Sequence, residues 1–399
     1  MESSSFRPPS YNSSFALCPT AATSFFLPSI YMVLFITALP GNAMSLWVFL
    51  RRISSISPTH VYLANLSISN LLMSIITPFL AAYFAKGSAW ALRSILCQIV
   101  LHGITPVLHI NIYISLLILA WVALSRFAVL IRNTHASRPS ACISLLPHGF
   151  FSRLTQVSFA NAVCATVWVV SVGGIVPVTV YYSVNEAMKS REVGDQGEGK
   201  CVDLCYSPAV ELGGSVSSSL SIATITVFFV FYLLVLLSYV TLLRHIRRSR
   251  LNTEVSTSQS LLGRVFRNIV VIQIVLSVCL LPFHIYKPIF ITVAHGQPDL
   301  LHYTGPDDCS CHPLNIYIEV KNFLLLLAVL RGSTDPVMYF LLDRTFRYQT
   351  LSLLRCNQGD SKRKPMVWST TGSVNQKPEH LGEENVVSST VESGFGRTS

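Results

Sequence analysis

Charge is what this sequence has least of. Asp, Glu, Lys and Arg make up 12% of its 399 residues, against 51% that are hydrophobic, where a soluble domain carries about 25% charged residues. A water-soluble fold could not hide that much apolar surface and a bilayer can, so the soluble classes are excluded. Catalytic signatures are missing too. No zinc-binding His-Glu-x-x-His, nucleophile elbow or phosphate loop occurs, which argues against an enzyme and against a cofactor or metal requirement. No internal repeat of the kind that builds a transporter is present. The chain also opens without a signal peptide of the usual shape: its first 24 residues are polar, hold one Arg and lead into an apolar run too long for an h-region.

What the sequence does have is long apolar runs. A spanning helix needs about 20 apolar residues, and seven runs qualify: residues 25–50, 60–84, 94–129, 154–182, 212–243, 265–293 and 314–342. The fold class is therefore an all-α membrane protein, a seven-transmembrane helix bundle over residues 25–342. The seventh run is the least apolar, holding Glu319, Lys321, Arg331 and Asp335. The net charge of +10 gathers at helix ends rather than forming a nucleic-acid patch. Arg51 and Arg52 follow the first run, Arg132, Arg138 and Arg153 lie between the third and fourth, and Arg244, Arg247, Arg248, Arg250, Arg264 and Arg267 surround the fifth link. The opposite connections mix signs, with Glu186, Glu192, Asp195 and Glu198 in one and Asp299, Asp307 and Asp308 in another. The positive-inside rule puts the Arg-rich loops in the cytosol and, with an odd number of spans, the N-terminal tail (residues 1–24) outside the plasma membrane.

Asn12-Ser13-Ser14 is a glycosylation acceptor on that outer side. Six of ten cysteines (Cys18, Cys97, Cys201, Cys205, Cys309 and Cys311) map outside, where thiols oxidise, and the residues alone leave their pairing open. Cys164 and Cys279 fall mid-span and read as small apolar core residues. Residues 343–356 intersperse Leu and Phe with Arg and fit a short amphipathic helix on the membrane surface. Cys356 at its end is a palmitoylation candidate. Residues 357–399, rich in Ser, Thr, Gly and Glu, read as a disordered cytoplasmic tail.

Residues at fixed depths carry a resemblance. Gly41-Asn42 lies in the first span and Leu63-Ala64-Asn65-Leu66 opens the second. Leu124-Ser125-Arg126-Phe127 ends the third, Trp168 and Pro177 mark the fourth, and Tyr239 the fifth. Cys279-Leu280-Leu281-Pro282 lies in the sixth and Asp335-Pro336-Val337-Met338-Tyr339 in the seventh. In this order the set resembles rhodopsin-class (class A) G-protein-coupled receptors over roughly residues 29–354. The Asp-Pro-x-x-Tyr form resembles the purinergic branch. The resemblance implies an orphan receptor that passes an extracellular signal to a heterotrimeric G protein, with arrestin and kinases as partners at the tail. It implies disulfides from Cys97 to Cys205 or Cys201, and from Cys18 to Cys309 or Cys311. G-protein contact is implied for Arg126, Tyr239, Tyr339 and the Arg244–Arg250 stretch with Arg247, which also suits membrane lipid headgroups.

Several departures from that pattern matter. Ser125 replaces the acid beside Arg126, and no acid stands near Leu262, so the usual latch on that arginine is missing and raised basal signalling is expected. Leu280 stands where the family has a Trp switch. The family's sodium-binding carboxylate is moved across the bundle: Asn70 and Asp335 look like a swap, within reach of Asn42 and Ser115. Arg331, one turn before Asp335, competes with sodium for that acid. The resemblance also implies a pocket for a small anionic, nucleotide-like or lipid-like ligand at His284, Lys287 and Lys321, with Tyr113 and Phe290 on its wall. Against this, the lysines could instead pair with Glu319 or outer-loop acids. The alternative functions are an uncoupled, decoy or constitutively active receptor without a conventional ligand, and a small-solute transporter.

Overall fold

The computed structural model describes residues 16–135, 152–183, 204–212, 215–251, 267, 269–296 and 311–356. Seven helices are long and apolar enough to cross a membrane: Ala22–Arg52, Pro58–Ala89, Ile95–Val129, Val157–Tyr181, Ser218–Thr241, Ile269–Ala294 and Asn315–Leu342. They are called spans one to seven. A helix satisfies its own backbone hydrogen bonds, so it can cross hydrocarbon without water. Among the described residues the only β pairing is two isolated bridges, Ala16 with Cys311 and Ala91 with Leu204. The chain divides into two compact units, Met1–Leu354 and Arg355–Ser399. Of the second unit, only Arg355 and Cys356, which end the last helix, are described.

Span one packs on two and seven, span two on three and four, and span three on four and five, while six closes against five and seven. Span three is the most buried of the seven. Gly41 sets the distance between spans one and seven: a Cβ there would meet Pro336 Cγ at 3.1 Å. Trp168 Nε1 of span four donates to Asn65 Oδ1 of span two at 3.1 Å. Asn65 is therefore occupied in packing span two against span four.

The polarity of the bundle is inverted relative to a soluble protein. Phe25, Ile36, Val169 and Leu237 face outward at 74%, 65%, 72% and 60% exposure, while Asn42, Asn70, Arg331 and Asp335 lie at 1% or less. Such a surface belongs in lipid, and the interior carries the polar groups that lipid would penalise.

Helix starts follow local chemistry. Ser57 caps span two, with Pro58 at its first position, and the His60 side chain completes a capping box. Ser94 Oγ accepts from Cys97 N at 3.4 Å at the start of span three. A wider π-helical turn, Val100–Ile104, follows within the 29-residue step from Cys97 to Arg126. After span seven, Asp343 Oδ1 accepts from Phe346 N at 2.8 Å, capping the terminal helix Arg344–Cys356. Phe346 turns inward onto Phe49 at 5.0 Å, while Tyr348 on the other face is exposed.

Candidate functional site

One end of the bundle is fastened by two disulfides, Cys97–Cys205 and Cys18–Cys311. Of the two partners left open for Cys18, Cys309 and Cys311, the structure takes Cys311; Cys309 lies outside the described residues. His312 N donates to Ala16 O at 3.0 Å, an extended pairing that seats Cys311 opposite Cys18. Asn315 exchanges two hydrogen bonds with the Cys18 backbone, at 3.0 and 2.8 Å. The Glu319 carboxylate accepts from Thr20 N at 2.6 Å and from the hydroxyls of Thr20 and Thr23 at 3.0 and 3.1 Å. Glu319 is thereby committed to the start of span one, and pairs with neither lysine among the described residues.

Cys97–Cys205 fixes a second segment across the same end. Cys205 N donates to Trp90 O at 2.8 Å and Tyr206 N to Gly87 O at 3.0 Å. This leads the short helix Pro208–Leu212 over a cavity of about 210 Å³. Its walls are largely apolar, with Leu80, Phe84, Leu108, Ile175 and Phe290 among them, and His109, Tyr113, Lys287, Lys321 and Glu211 supply polar atoms. Lys321 Nζ lies 2.6 Å from Glu211 Oε2 and 2.8 Å from Glu211 O, and Tyr83 OH donates to Glu211 Oε1 at 2.5 Å. Lys287 Nζ sits 5.7 Å from the centroid of the Phe283 ring. Among the described residues no carboxylate lies within ion-pair distance of it.

His284 does not line this cavity, contrary to the sequence expectation. Three residues make nearly one helical turn, which drops His284 below Lys287 and turns it toward span five. There its ring stacks on Phe228 at 3.7 Å, Nδ1 donates to Leu280 O at 2.8 Å, and the residue is fully buried.

Mid-bundle, Arg331 and Asp335 form an ion pair at 0% exposure on both sides. The same guanidinium donates to Asn70 Oδ1 at 3.0 Å and to Asn111 Oδ1 at 3.3 Å. Asn70 Nδ2 reaches Asp335 Oδ2 at 2.7 Å and Asn42 Oδ1 at 3.1 Å, and Asn42 Nδ2 donates to Gly332 O at 2.8 Å. Four of the five expected members thus meet. Ser115 is buried, but among the described residues its Oγ has no hydrogen-bond partner. Asn111, one turn before Ser115, takes the place expected for it.

At the opposite end, Arg126 Nη2 lies 3.7 Å from Asp343 Oδ2. His60 Nδ1 accepts the Ser57 N–H at 3.2 Å, which leaves Nε2–H to donate to the same Asp343 oxygen at 3.0 Å. Burial pushes the Asp343 carboxyl up, but the His60 and Phe346 hydrogen bonds and the Arg126 charge hold it below the usual carboxylate range. Ser125 Oγ donates to Leu154 O at 3.3 Å. Tyr339 is fully buried between Phe49 and Phe346, and Tyr239 is half-buried on span five. The Arg247 and Cys356 side chains and all of Asn12 lie outside the described residues.

The sequence profile of the 7 transmembrane receptor (rhodopsin family) matches residues 41–339. The chain belongs to the rhodopsin family of seven-transmembrane receptors. It is 36% identical over 337 residues to the Probable G-protein coupled receptor 82 of Homo sapiens, covering 84% of this chain and 94% of that one. Its counterpart in Mus musculus is also 36% identical, over 344 residues (86% and 98%). The Probable G-protein coupled receptor 34 of Pan troglodytes is 24% identical over 338 residues (84% and 78%). This receptor falls in the purinergic-type branch, in a family of receptors rather than enzymes.

Sequence reasoning missed three residues of this receptor's interior. Glu211 stands directly before the run 212–243 and was not among the loop acids singled out. Asp343 follows the last apolar residue of span seven and read as the first residue of the surface helix 343–356. His60 looked like the first polar residue of span two. Their common signal was an ionisable group within a turn of a span end.

Proposed function

We propose that this receptor sits in the plasma membrane with its disulfide end outside. It takes a small anionic ligand in the cavity under Pro208–Leu212 and activates a heterotrimeric G protein through the mouth around Arg126. The observation that supports the ligand class best is the presence of Lys287 and Lys321 on the wall of one mostly apolar cavity. A cation in a low-dielectric site attracts an anion far more strongly than in water. The orientation rests on the Arg-rich links and on disulfides, which form in the oxidising compartment. The G-protein role rests on membership of the family and on Arg126 at the mouth opposite the cavity.

The test is a panel of G proteins co-expressed with the receptor and challenged with anionic lipids and nucleotides. An active anion should lose its effect in Lys287→Ala at unchanged surface amount. Equal responses in the two proteins, or silence with every anion and every G protein, refutes the reading. For orientation, an antibody applied without detergent should reach an N-terminal tag and not a C-terminal one.

A further inference from the structure

The two cavity lysines are not equivalent. Lys321 is neutralised within the protein: its ammonium touches both a carboxylate oxygen and the main-chain oxygen of Glu211, with side chains only 15% and 9% exposed. The other Glu211 oxygen is taken by Tyr83 OH. This carboxylate is held on a segment that Cys205, Trp90 and Gly87 fix in place, so it is built into the wall. Lys287 faces an aromatic ring instead. Among the described residues, two ammonium groups less one carboxylate leave the lining with one net positive charge.

We propose that Glu211 selects ligands by charge: its carboxylate occupies the second anion position, so the cavity takes a molecule with one anionic head and an apolar body. The head meets Lys287, and the body lies along Leu80, Phe84, Leu108, Ile175 and Phe290. A second anionic group would be set against Glu211 or would have to break its pair with Lys321. Either cost falls in a site shielded from water, where like charges repel strongly. Dianions and polyphosphates are thereby rejected. The inference rests on the anionic-ligand reading above and narrows it.

The experiment uses the purified full-length receptor and two probes of equal length, decanoate and decanedioate. Binding is read as the rise in thermal unfolding midpoint with probe concentration. Wild type should bind decanoate at least about tenfold more tightly than decanedioate, a difference of about 1.4 kcal/mol. Glu211→Gln should remove that preference by strengthening decanedioate, and Lys287→Ala should weaken decanoate. The exchange of Glu211→Lys with Lys321→Glu restores the internal pair and should restore the wild-type preference, which separates charge selection from a folding defect. Equal binding of the two probes to wild type, or a preference that survives in Glu211→Gln, overturns the role of Glu211 alone. No shift with either probe in any of the proteins overturns the anionic pocket itself.

Discussion

Replacing Arg331 by Ala leaves the Asp335 carboxyl fully buried and without its cation. Removing one partner of a buried pair costs about 3–5 kcal/mol. The two further guanidinium bonds, to Asn70 and Asn111, add little, because hydrogen bonds between spanning helices average about 0.6 kcal/mol. The expected loss is therefore about 4–6 kcal/mol, or on the order of 10 °C at about 2–4 °C per kcal/mol. Asp335→Asn should lose a comparable amount, since it strands the guanidinium. The double variant Arg331→Met with Asp335→Asn removes both charges and should recover at least about 2 kcal/mol relative to the sum of the singles. Cys164 and Cys279 are buried free thiols, so a thiol-reactive dye added to the purified receptor reads unfolding directly. Shifts below about 2 °C in both singles, or an additive double, would refute the claim that this pair holds the mid-bundle together.

Three more outcomes are expected. Wild type should unfold at the same temperature in sodium, potassium and choline salts, because Arg331 already supplies the cation for Asp335; Arg331→Ala, which leaves a carboxylate among Asn oxygens, should be stabilised by sodium specifically. Asp343→Asn removes the acid facing both Arg126 and His60, so second-messenger output without added ligand should rise at equal surface expression; unchanged output argues against a latch there. Cys18→Ser should destabilise the receptor by about 2–4 kcal/mol while leaving Cys97–Cys205 intact, measured by the same dye and by mapping of the remaining bridge.

The bundle was legible because span length and Arg placement are properties of single segments. Asn42, Asn70, Arg331 and Asp335 were legible as a group because ionisable or amide groups at mid-span have nowhere else to go. What could not be read was geometry between segments far apart in sequence. His284 and Lys287 share a helix face by spacing, yet one turn of depth separates a core ring from a cavity wall. The acid that faces Arg126 was hidden for the same reason. The search for an acid was confined to the neighbourhood of Ser125 and the start of span six, while Asp343 arrives from the end of span seven. Lys321 had been set against Glu319 or outer-loop acids. Glu319 turned out to hold Thr20 and Thr23 instead, and Glu211 came over the top of the bundle on a segment tied down by Cys205.

The seam formed by Cys18, Asn315 and Glu319 means that the beginning of the protein is mechanically part of its seventh helix. A bulky partner or fused module hung ahead of Cys18 would tug on the rod that carries Lys321 at one level and Arg331 at another, rather than on the first rod alone. Trimming the chain past Thr20 would cut that tether and leave the Glu319 carboxylate with the Thr23 hydroxyl alone of its three donors.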